Sequence, residues 1–358
     1  MASSVASSVA PNFSPDFDDV AAFDSVAPVF DSVAPAFDSA PAFDSFTLTL
    51  VQLCPTGSDK AANLQHAYEM VLKAAKSYSG TKPQVVVLPE CFNSPYSFDQ
   101  FPLYAENIGP YTPGKEFDVQ ASASDSIKML SSAAKKAGVW LIGGSIPERD
   151  EETNKVYSTC TVYSPTGALV ALHRKVHLCD IDIPGKIMFK VHPFGLALAA
   201  FWRSSYLQES ETLTGGSTTN YFDTEFARIG LGICYDIRFP EIAMIAARQG
   251  CHAVVYPAAY NLTTGPLHWE LLQRARAVDN QIFFSMCSPA RDMTAEYHAW
   301  GHSMVVDPYG KVLVEADESE MIVHANIDPK TFDSARAGIP ITKQRRFDVY
   351  ADVSEACK

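Results

Sequence analysis

The amino-acid sequence predicts an α/β layered domain, and three features of the chain lead to that prediction. Short apolar segments with the alternation typical of strands are followed by segments whose apolar residues recur at helical spacing. Glycine and proline residues separate these segments. The same order of strands and helices recurs in the second half of the 358-residue chain. Such alternation is typical of a sheet that is covered by helices.

The individual elements begin at residue 46. Strands are predicted at residues 47–53, 85–88, 139–142, 156–163, 168–172, 228–233, 253–256, 282–286 and 303–306, and helices at 63–76, 127–137, 241–249 and 267–279. Residues 164–167, Ser-Pro-Thr-Gly, have the composition of a hairpin turn. Two of the apolar strands end in a polar residue followed by a break, and open α/β sheets place their sites at such strand ends.

Residues 1–45 differ in composition from the rest and are predicted to be a disordered acidic tail. A degenerate Phe-Asp-Ser repeat begins at Phe23, Phe30, Phe37 and Phe43. The segment holds seven aspartates and no Lys, Arg or His, so it carries −7 of the net charge of −13. It has too little apolar surface to offset its ordering entropy, although spaced phenylalanines could also form a docking motif. The α/β domain is predicted at 46–353, and a C-terminal tail follows at 354–358.

Composition excludes several classes of protein. No apolar run approaches the roughly 18 residues that a membrane-spanning helix needs, and no Lys/Arg-rich run favours nucleic-acid binding. The eight cysteines form no CxxC pair, which favours reduced thiols and a cytoplasmic protein; a mitochondrial location stays open, although the acidic N-terminus is unlike a transit peptide. No metal signature, phosphate loop or dinucleotide fingerprint occurs, so we expect no metal and no cofactor.

Three residues at predicted strand ends are candidates for chemistry. Cys234 follows a glycine-containing strand and precedes Pro240, a good first residue for a helix, so a strand–nucleophile–helix elbow is one interpretation and a buried inert thiol is the other. Glu90 follows an apolar strand, where a carboxylate must be paired, functional or solvated. Lys175 lies in a basic cluster, His173-Arg-Lys-Val-His177, that could simply be surface.

The residues around these three candidates resemble a known family. Residues 88–92 (Leu-Pro-Glu-Cys-Phe), 173–178 (His-Arg-Lys-Val-His-Leu) and 232–239 (Gly-Ile-Cys-Tyr-Asp-Ile-Arg-Phe) resemble, in order, the three signature segments of the nitrilase superfamily. Further segments at 92–96, 141–148, 180–186, 261–266, 268–274, 288–292 and 300–303 resemble its omega-amidase branch. The resemblance implies a four-layer α-β-β-α sandwich that pairs as a homodimer through its inner faces.

The resemblance also implies roles for individual residues. Glu90 would be the general base, Lys175 the cation at the oxyanion and Cys234 the nucleophile, with Glu209 bracing the site. The backbone N–H of Tyr235 would be a second oxyanion donor. Arg238 would bind the distal carboxylate of the substrate, although its pairing with Asp236 or Glu241 stays open. Tyr96, Tyr260 and Thr264 fall on pocket positions.

The implied activity is hydrolysis of the omega-amide of short dicarboxylates, such as 2-oxoglutaramate and succinamate, to the dicarboxylate and ammonia through a Cys thioester. An N-carbamoyl amidase, a nitrilase or an inactive dimer are the alternatives.

The sequence departs from the family pattern in three places. Residues 257–260 read Pro-Ala-Ala-Tyr instead of Pro-Gly-Ala-Phe, and Cys179 replaces Phe.

The third departure is an insert at 191–208 that the family lacks. It separates Lys175 from Glu209 by 34 positions instead of 16. A retained short intron and a natural surface loop are the two interpretations, and its apolar composition favours the first. Because small displacements of catalytic groups are costly, an insert here could impair the enzyme.

Overall fold

The computed structural model describes residues 40–54, 57–181 and 207–350. Its strands are β1 (Phe46–Gln52), β2 (Gln84–Val87), β3 (Trp140–Ile142), β4 (Ile146–Arg149), β5 (Val156–Tyr163), β6 (Leu169–Arg174), β7 (Asp180–Ile181), β8 (Leu207–Gln208), β9 (Tyr221–Asp223), β10 (Arg228–Leu231), β11 (Ala253–Pro257), β12 (Phe283–Cys287), β13 (Met304–Val306), β14 (Val312–Glu315) and β15 (Met321–Ile327). Its helices are α1 (Lys60–Ser77), α2 (Phe101–Tyr104), α3 (Asp125–Ala137), α4 (Pro240–Arg248), α5 (Gly265–Asn280), α6 (Pro329–Gly338) and α7 (Ile341–Gln344).

Two sheets form the centre of the fold. In the first, the order is β15-β1-β2-β3-β5-β4, with β6 also paired to β5. In the second, the order is β14-β13-β12-β11-β10-β9. Each sheet has three parallel strands at its centre, β1-β2-β3 in one and β10-β11-β12 in the other, with antiparallel strands outside them. The repeated order that the sequence predicted is therefore the repeated core of two similar sheets.

Helices cover the outer face of each sheet. Helices α1 and α3 pack on the first sheet through one apolar cluster that includes Leu64, Val71 and Leu130. Helices α4 and α5 pack on the second sheet, and the larger cluster joins the inner faces of the two sheets through residues such as Leu50, Val87 and Met286. The α/β prediction and its four-layer α-β-β-α form are confirmed for the described residues.

The ordered packing includes part of the N-terminal repeat. The ring of Phe43 stacks on His252 with ring centroids 4.2 Å apart and meets Phe332 edge-on at 5.2 Å. The backbone N–H of Asp44 donates to the carbonyl of Phe226. The last copy of the Phe-Asp-Ser motif, which the sequence placed in a disordered tail at 1–45, thus packs against the domain. Residues 1–39 of that predicted tail lie outside the described residues.

Two other predicted segments lie wholly or mostly outside the described residues. These are the C-terminal tail at 354–358 and all but the last two residues of the insert at 191–208. Those two residues, Leu207 and Gln208, form β8 and pair with β7 on the other side of the gap. Within the described ranges, no helix is long and apolar enough to cross a membrane.

Candidate active site

The ends of three strands bring the principal candidates together. Glu90 lies three residues beyond β2, Lys175 directly follows β6, and Cys234 lies three residues beyond β10. Glu90 is only 2% exposed and Lys175 is fully buried. The interpretations of these two residues as solvated surface groups are therefore wrong. Burial of two charged side chains at neighbouring strand ends is typical of a functional site.

Cys234 occupies a tight elbow between β10 and α4. Its backbone φ is +45°, in the left-handed region that residues other than glycine rarely adopt. A 3₁₀ turn, Cys234–Arg238, follows, and Pro240 then begins α4 as the sequence predicted. The cost of this backbone conformation at a cysteine is typical of a residue whose position is set by function. The sulfur faces the carbonyl of Ala259, with Sγ 3.8 Å from the oxygen.

Asp236 connects this elbow to the chain segment after β6 that carries Lys175 and His177. Its carboxylate accepts the backbone N–H of Ile233 at 3.0 Å and both the N–H and Nδ1 of His177 at 2.9 Å. The ring of His173 lies 3.4 Å from the same carboxylate. Burial opposes the charge, but the hydrogen bonds from His173 and His177 hold the pKa of Asp236 well below its usual range. The two histidines beside Lys175 thus connect the Cys234 elbow to the segment that carries the lysine.

Lys175 lies between two buried carboxylates. Its Nζ donates to Oε1 of Glu90 at 3.0 Å and to Oε1 of Glu209 at 2.8 Å. The other oxygen of Glu209 accepts the backbone N–H of Cys179 at 2.8 Å, and the Tyr96 hydroxyl donates to its Oε1 at 3.3 Å. Glu209 therefore reaches Lys175 although 33 residues of chain, including the insert, separate them.

The loop that carries Glu90 depends on a glycine. Gly144 has φ +67°, and a Cβ at this position would lie 2.2 Å from the carbonyl oxygen of Pro89. The next residue, Ser145, donates its backbone N–H to that carbonyl and accepts the N–H of Cys91 through its hydroxyl. Only glycine at position 144 lets this turn approach the Pro89 carbonyl so closely, and this contact sets the position of the Glu90 backbone.

Burial and neighbouring charges set the protonation of the cluster. Burial raises the pKa of Glu90 to about 7, Glu209 adds to the rise, and the nearby Lys175 and Cys234 oppose it. Burial and the Glu90 charge raise the pKa of the Cys234 thiol well above its usual value. Although burial acts against its charge, the Glu209 and Glu90 carboxylates hold the pKa of Lys175 well above its usual value. The resting site thus contains a thiol, an ammonium and a carboxylate that can exchange a proton near neutral pH.

A narrow cleft leads from Cys234 to Arg238. All five predicted pocket residues line it, namely Tyr96, Tyr235, Arg238, Tyr260 and Thr264. The Thr264 hydroxyl is used within the wall, where it donates to Oδ1 of Asn261 at 3.1 Å. Cys179, the residue that departs from the family pattern, also lines the cleft.

Arg238 does not form the ion pairs that the sequence left open. The Asp236 carboxylate is occupied by the two histidines, and no ion pair between Arg238 and Glu241 occurs within the described residues. Instead, Nη1 of Arg238 donates to Nδ1 of His268 at 3.1 Å. Burial and the Arg238 charge lower the pKa of His268, so its neutral ring can accept this bond. His268 therefore orients the arginine.

Sequence reasoning missed Tyr297. Its hydroxyl donates to the carbonyl of Ala259 at 2.6 Å, the same carbonyl that faces the Cys234 sulfur. Its ring packs on Tyr96 with centroids 4.3 Å apart. Tyr297 lies in irregular chain between β12 and β13, where neither periodicity nor a charged motif marks it.

Comparison with known proteins places these features in context. The family model for carbon-nitrogen hydrolases matches residues 47–337. The chain is 48% identical over 307 residues to omega-amidase NIT3 of Saccharomyces cerevisiae, covering 86% of this chain and 95% of that protein. It is 48% identical over 311 residues to a chloroplastic omega-amidase of Arabidopsis thaliana, covering 87% and 75%. The crystal structure of S. cerevisiae Nit3, a member of branch 10 of the nitrilase superfamily, matches with a TM-score of 0.71 at 45% identity, covering 85% and 97%.

Proposed function

The chain belongs to the carbon–nitrogen hydrolase family, and from that premise we propose that it is an omega-amidase that hydrolyses short dicarboxylate monoamides. The observation that carries this proposal is the buried pair of salt bridges from Lys175 to Glu90 and Glu209, which lies beside the Cys234 elbow. It supplies a base and a cation to the nucleophile Cys234, which lies at one end of a cleft whose other end is Arg238. The reactants proposed are succinamate and 2-oxoglutaramate.

The first half-reaction forms a thioester and releases ammonia. Glu90 accepts the thiol proton of Cys234 as the sulfur attacks the amide carbon. Lys175 and the backbone N–H of Tyr235 stabilise the negative charge that develops on the carbonyl oxygen. Protonated Glu90 then donates its proton to the departing nitrogen, so the C–N bond breaks and ammonia leaves. A Glu90 pKa of about 7 suits both directions of this transfer.

The second half-reaction returns the enzyme to its starting state. Glu90 takes a proton from water, and the resulting hydroxide attacks the thioester carbon. The C–S bond breaks, Cys234 recovers the proton, and the dicarboxylate is released. Glu209 contacts Lys175 and not the reacting atoms, so its proposed role is to position the lysine.

Arg238 is proposed to select the substrate. Its guanidinium is the cationic group that lines the cleft in the described part of the chain, and its Nε makes no hydrogen bond to any described residue. A guanidinium matches the fork of a carboxylate and forms charge-assisted bonds of about 1.5–3 kcal/mol each. A substrate with a carboxylate at the end away from its amide would supply the missing partner.

Two amides that differ only in the distal carboxylate test this assignment. We expect Arg238→Ala to lower kcat/KM for succinamate by about tenfold to 150-fold, from the loss of one charge-assisted bond, and to change that for butyramide by less than about threefold. Arg274→Ala, at an exposed arginine of α5, is the matched control. Equal losses on both amides, or turnover of nitriles or N-carbamoyl compounds in preference to succinamate, would contradict the proposal.

We further propose a homodimer that forms through the outer helices α4 and α5. The inner faces, through which the resemblance implied pairing, pack on each other within one chain and cannot form the contact. Helix α5 exposes Leu267, Leu271 and Val278 on one stripe, and α4 exposes Ile245. An apolar stripe of this kind on the outside of a sandwich is typical of a face that packs on another subunit. Leu271→Glu should shift the protein from dimer to monomer in analytical ultracentrifugation. Leu103→Glu, at an exposed leucine of α2, should leave the dimer intact, and a monomeric parent protein would refute the proposal.

The proposed location is the cytoplasm. None of the seven cysteines in the described residues forms a disulfide, which fits a reducing compartment. Because one relative is chloroplastic, an organelle is the alternative location to be tested. Fractionation of cells that express the full chain, probed with an antibody to it, would decide between them.

A further inference from the structure

Two polar atoms in the cleft wall are buried without a hydrogen-bond partner among the described residues. They are the hydroxyl oxygen of Tyr260 and Nε of Arg238. Tyr260 is 3% exposed, and its ring packs edge-on against Trp269 with centroids 5.3 Å apart. Leaving a buried donor unmatched costs about 1–3 kcal/mol, so a group of this kind in the wall of a cleft is a candidate to bind what enters the cleft.

Tyr260 lies between the two ends of the cleft. The carbonyl of the preceding residue, Ala259, faces the Cys234 sulfur, whereas the guanidinium carbon of Arg238 lies 5.0 Å from the centroid of the Tyr260 ring. Charges at both ends of the cleft act on the Tyr260 hydroxyl: burial and the charge on Cys234 raise its pKa, and the Arg238 charge lowers it. A substrate that reaches from Cys234 to Arg238 therefore passes beside Tyr260, which lines the same cleft.

The chemistry of the hydroxyl indicates what it would contact. Tyr260 stays protonated at neutral pH, so it can donate one hydrogen bond. An ammonium substituent on the substrate would lie near the positive charge of Arg238 and is disfavoured, and a methylene group would leave the hydroxyl unmatched. A carbonyl oxygen next to the distal carboxylate accepts the bond and carries no positive charge.

We propose that Tyr260 is a specificity-determining residue, whose hydroxyl donates to the 2-oxo oxygen of a 2-oxo dicarboxylate omega-amide while Arg238 holds the adjacent carboxylate. This inference rests on the proposed omega-amidase function and narrows its substrate class. The chain then prefers 2-oxoglutaramate to glutaramate, which differs from it only by a methylene in place of the 2-oxo group. L-Glutamine, with an ammonium at that carbon, is the poorest of the three.

The test measures kcat/KM for this matched pair with the full chain and with Tyr260→Phe. The substitution should lower kcat/KM for 2-oxoglutaramate by about three- to tenfold, the worth of one neutral hydrogen bond, and leave that for glutaramate unchanged or higher. Tyr256→Phe is the control, because it removes another buried, unpartnered hydroxyl from β11 outside the cleft lining. It should change neither value.

The outcomes separate this inference from the proposal on which it rests. Equal losses on both amides would mean that the hydroxyl contacts the carboxylate or supports the wall, and would overturn the assignment while the omega-amidase function stands. No change on either amide would overturn it in the same way. Failure of the folded parent chain to hydrolyse either amide would overturn both. Thermal unfolding of the two variants within a few degrees of the parent establishes that the comparison is between folded proteins.

Discussion

Replacing Glu209 by glutamine tests how Glu209 positions Lys175 and how its charge affects the site. The side chain keeps its shape but loses its negative charge, and only one of its two polar atoms can still accept a hydrogen bond. Either Lys175 or the backbone N–H of Cys179 therefore loses a partner that now lies 2.8 Å away. Because a hydrogen bond to a charged group contributes about 1.5–3 kcal/mol, kcat/KM at its plateau should fall by about tenfold to 150-fold.

The same substitution should move the pH dependence in a defined direction. The proposed mechanism requires ionised Glu90 as the base, so kcat/KM of the parent enzyme should fall as the pH drops through about 7. The Glu209 charge is one cause of the raised pKa of Glu90. Removing that charge lowers the Glu90 pKa, so the acid limb of the profile should shift to lower pH while the plateau falls.

The assay is ammonia release from succinamate as a function of pH, with thermal unfolding to verify the fold. Glu211→Gln is the matched control, since Glu211 belongs to the same 3₁₀ turn but is exposed. It should leave both the plateau and the limb in place. An acid limb that stays where it is or moves to higher pH in Glu209→Gln would refute the electrostatic coupling that we describe.

Two further substitutions and one deletion test other contacts in the structure. Asp236→Asn should lower the free energy of unfolding by about 3 kcal/mol in urea titrations, because the buried carboxylate joins the elbow to His177; a loss below about 0.5 kcal/mol would contradict this role. Phe43→Ala should lower the free energy of unfolding by about 1–2 kcal/mol in the same titration, because its half-buried ring loses the contacts with His252 and Phe332. No change would place the start of the domain at residue 46, as the sequence predicted. Deletion of 191–208 should change kcat/KM by less than about threefold, since Glu209 reaches Lys175 with the insert present; a large gain would support the retained-intron interpretation.

Much of the fold could be predicted from the sequence because its strands are short, apolar and separated by glycine or proline. The predicted strand at 156–163 coincides with β5, and most other predicted strands are within two residues of their observed bounds. Helix α1 begins three residues earlier than predicted, at Lys60, because Asp59 caps it by accepting the N–H of Ala62. Periodicity alone does not reveal such a cap.

The candidate site could be predicted only in part. Glu90, Lys175 and Cys234 stand in recognisable motifs, whereas the functions assigned to them stay predictions. The links among them come from tertiary packing, as in the contact of His268 with Arg238 and of Tyr297 with Ala259. Phe43 could not be placed from sequence for the same reason. It lies in a segment with the composition of the tail, but its ring stacks on His252, far along the chain.

The most direct test of the central claim is ammonia release from succinamate by the full chain and by Cys234→Ala under the same conditions. We expect steady release by the full chain and none above the uncatalysed background by Cys234→Ala, with equal thermal stability in both. Equal release by the two proteins, or no release by the folded full chain, would contradict this claim.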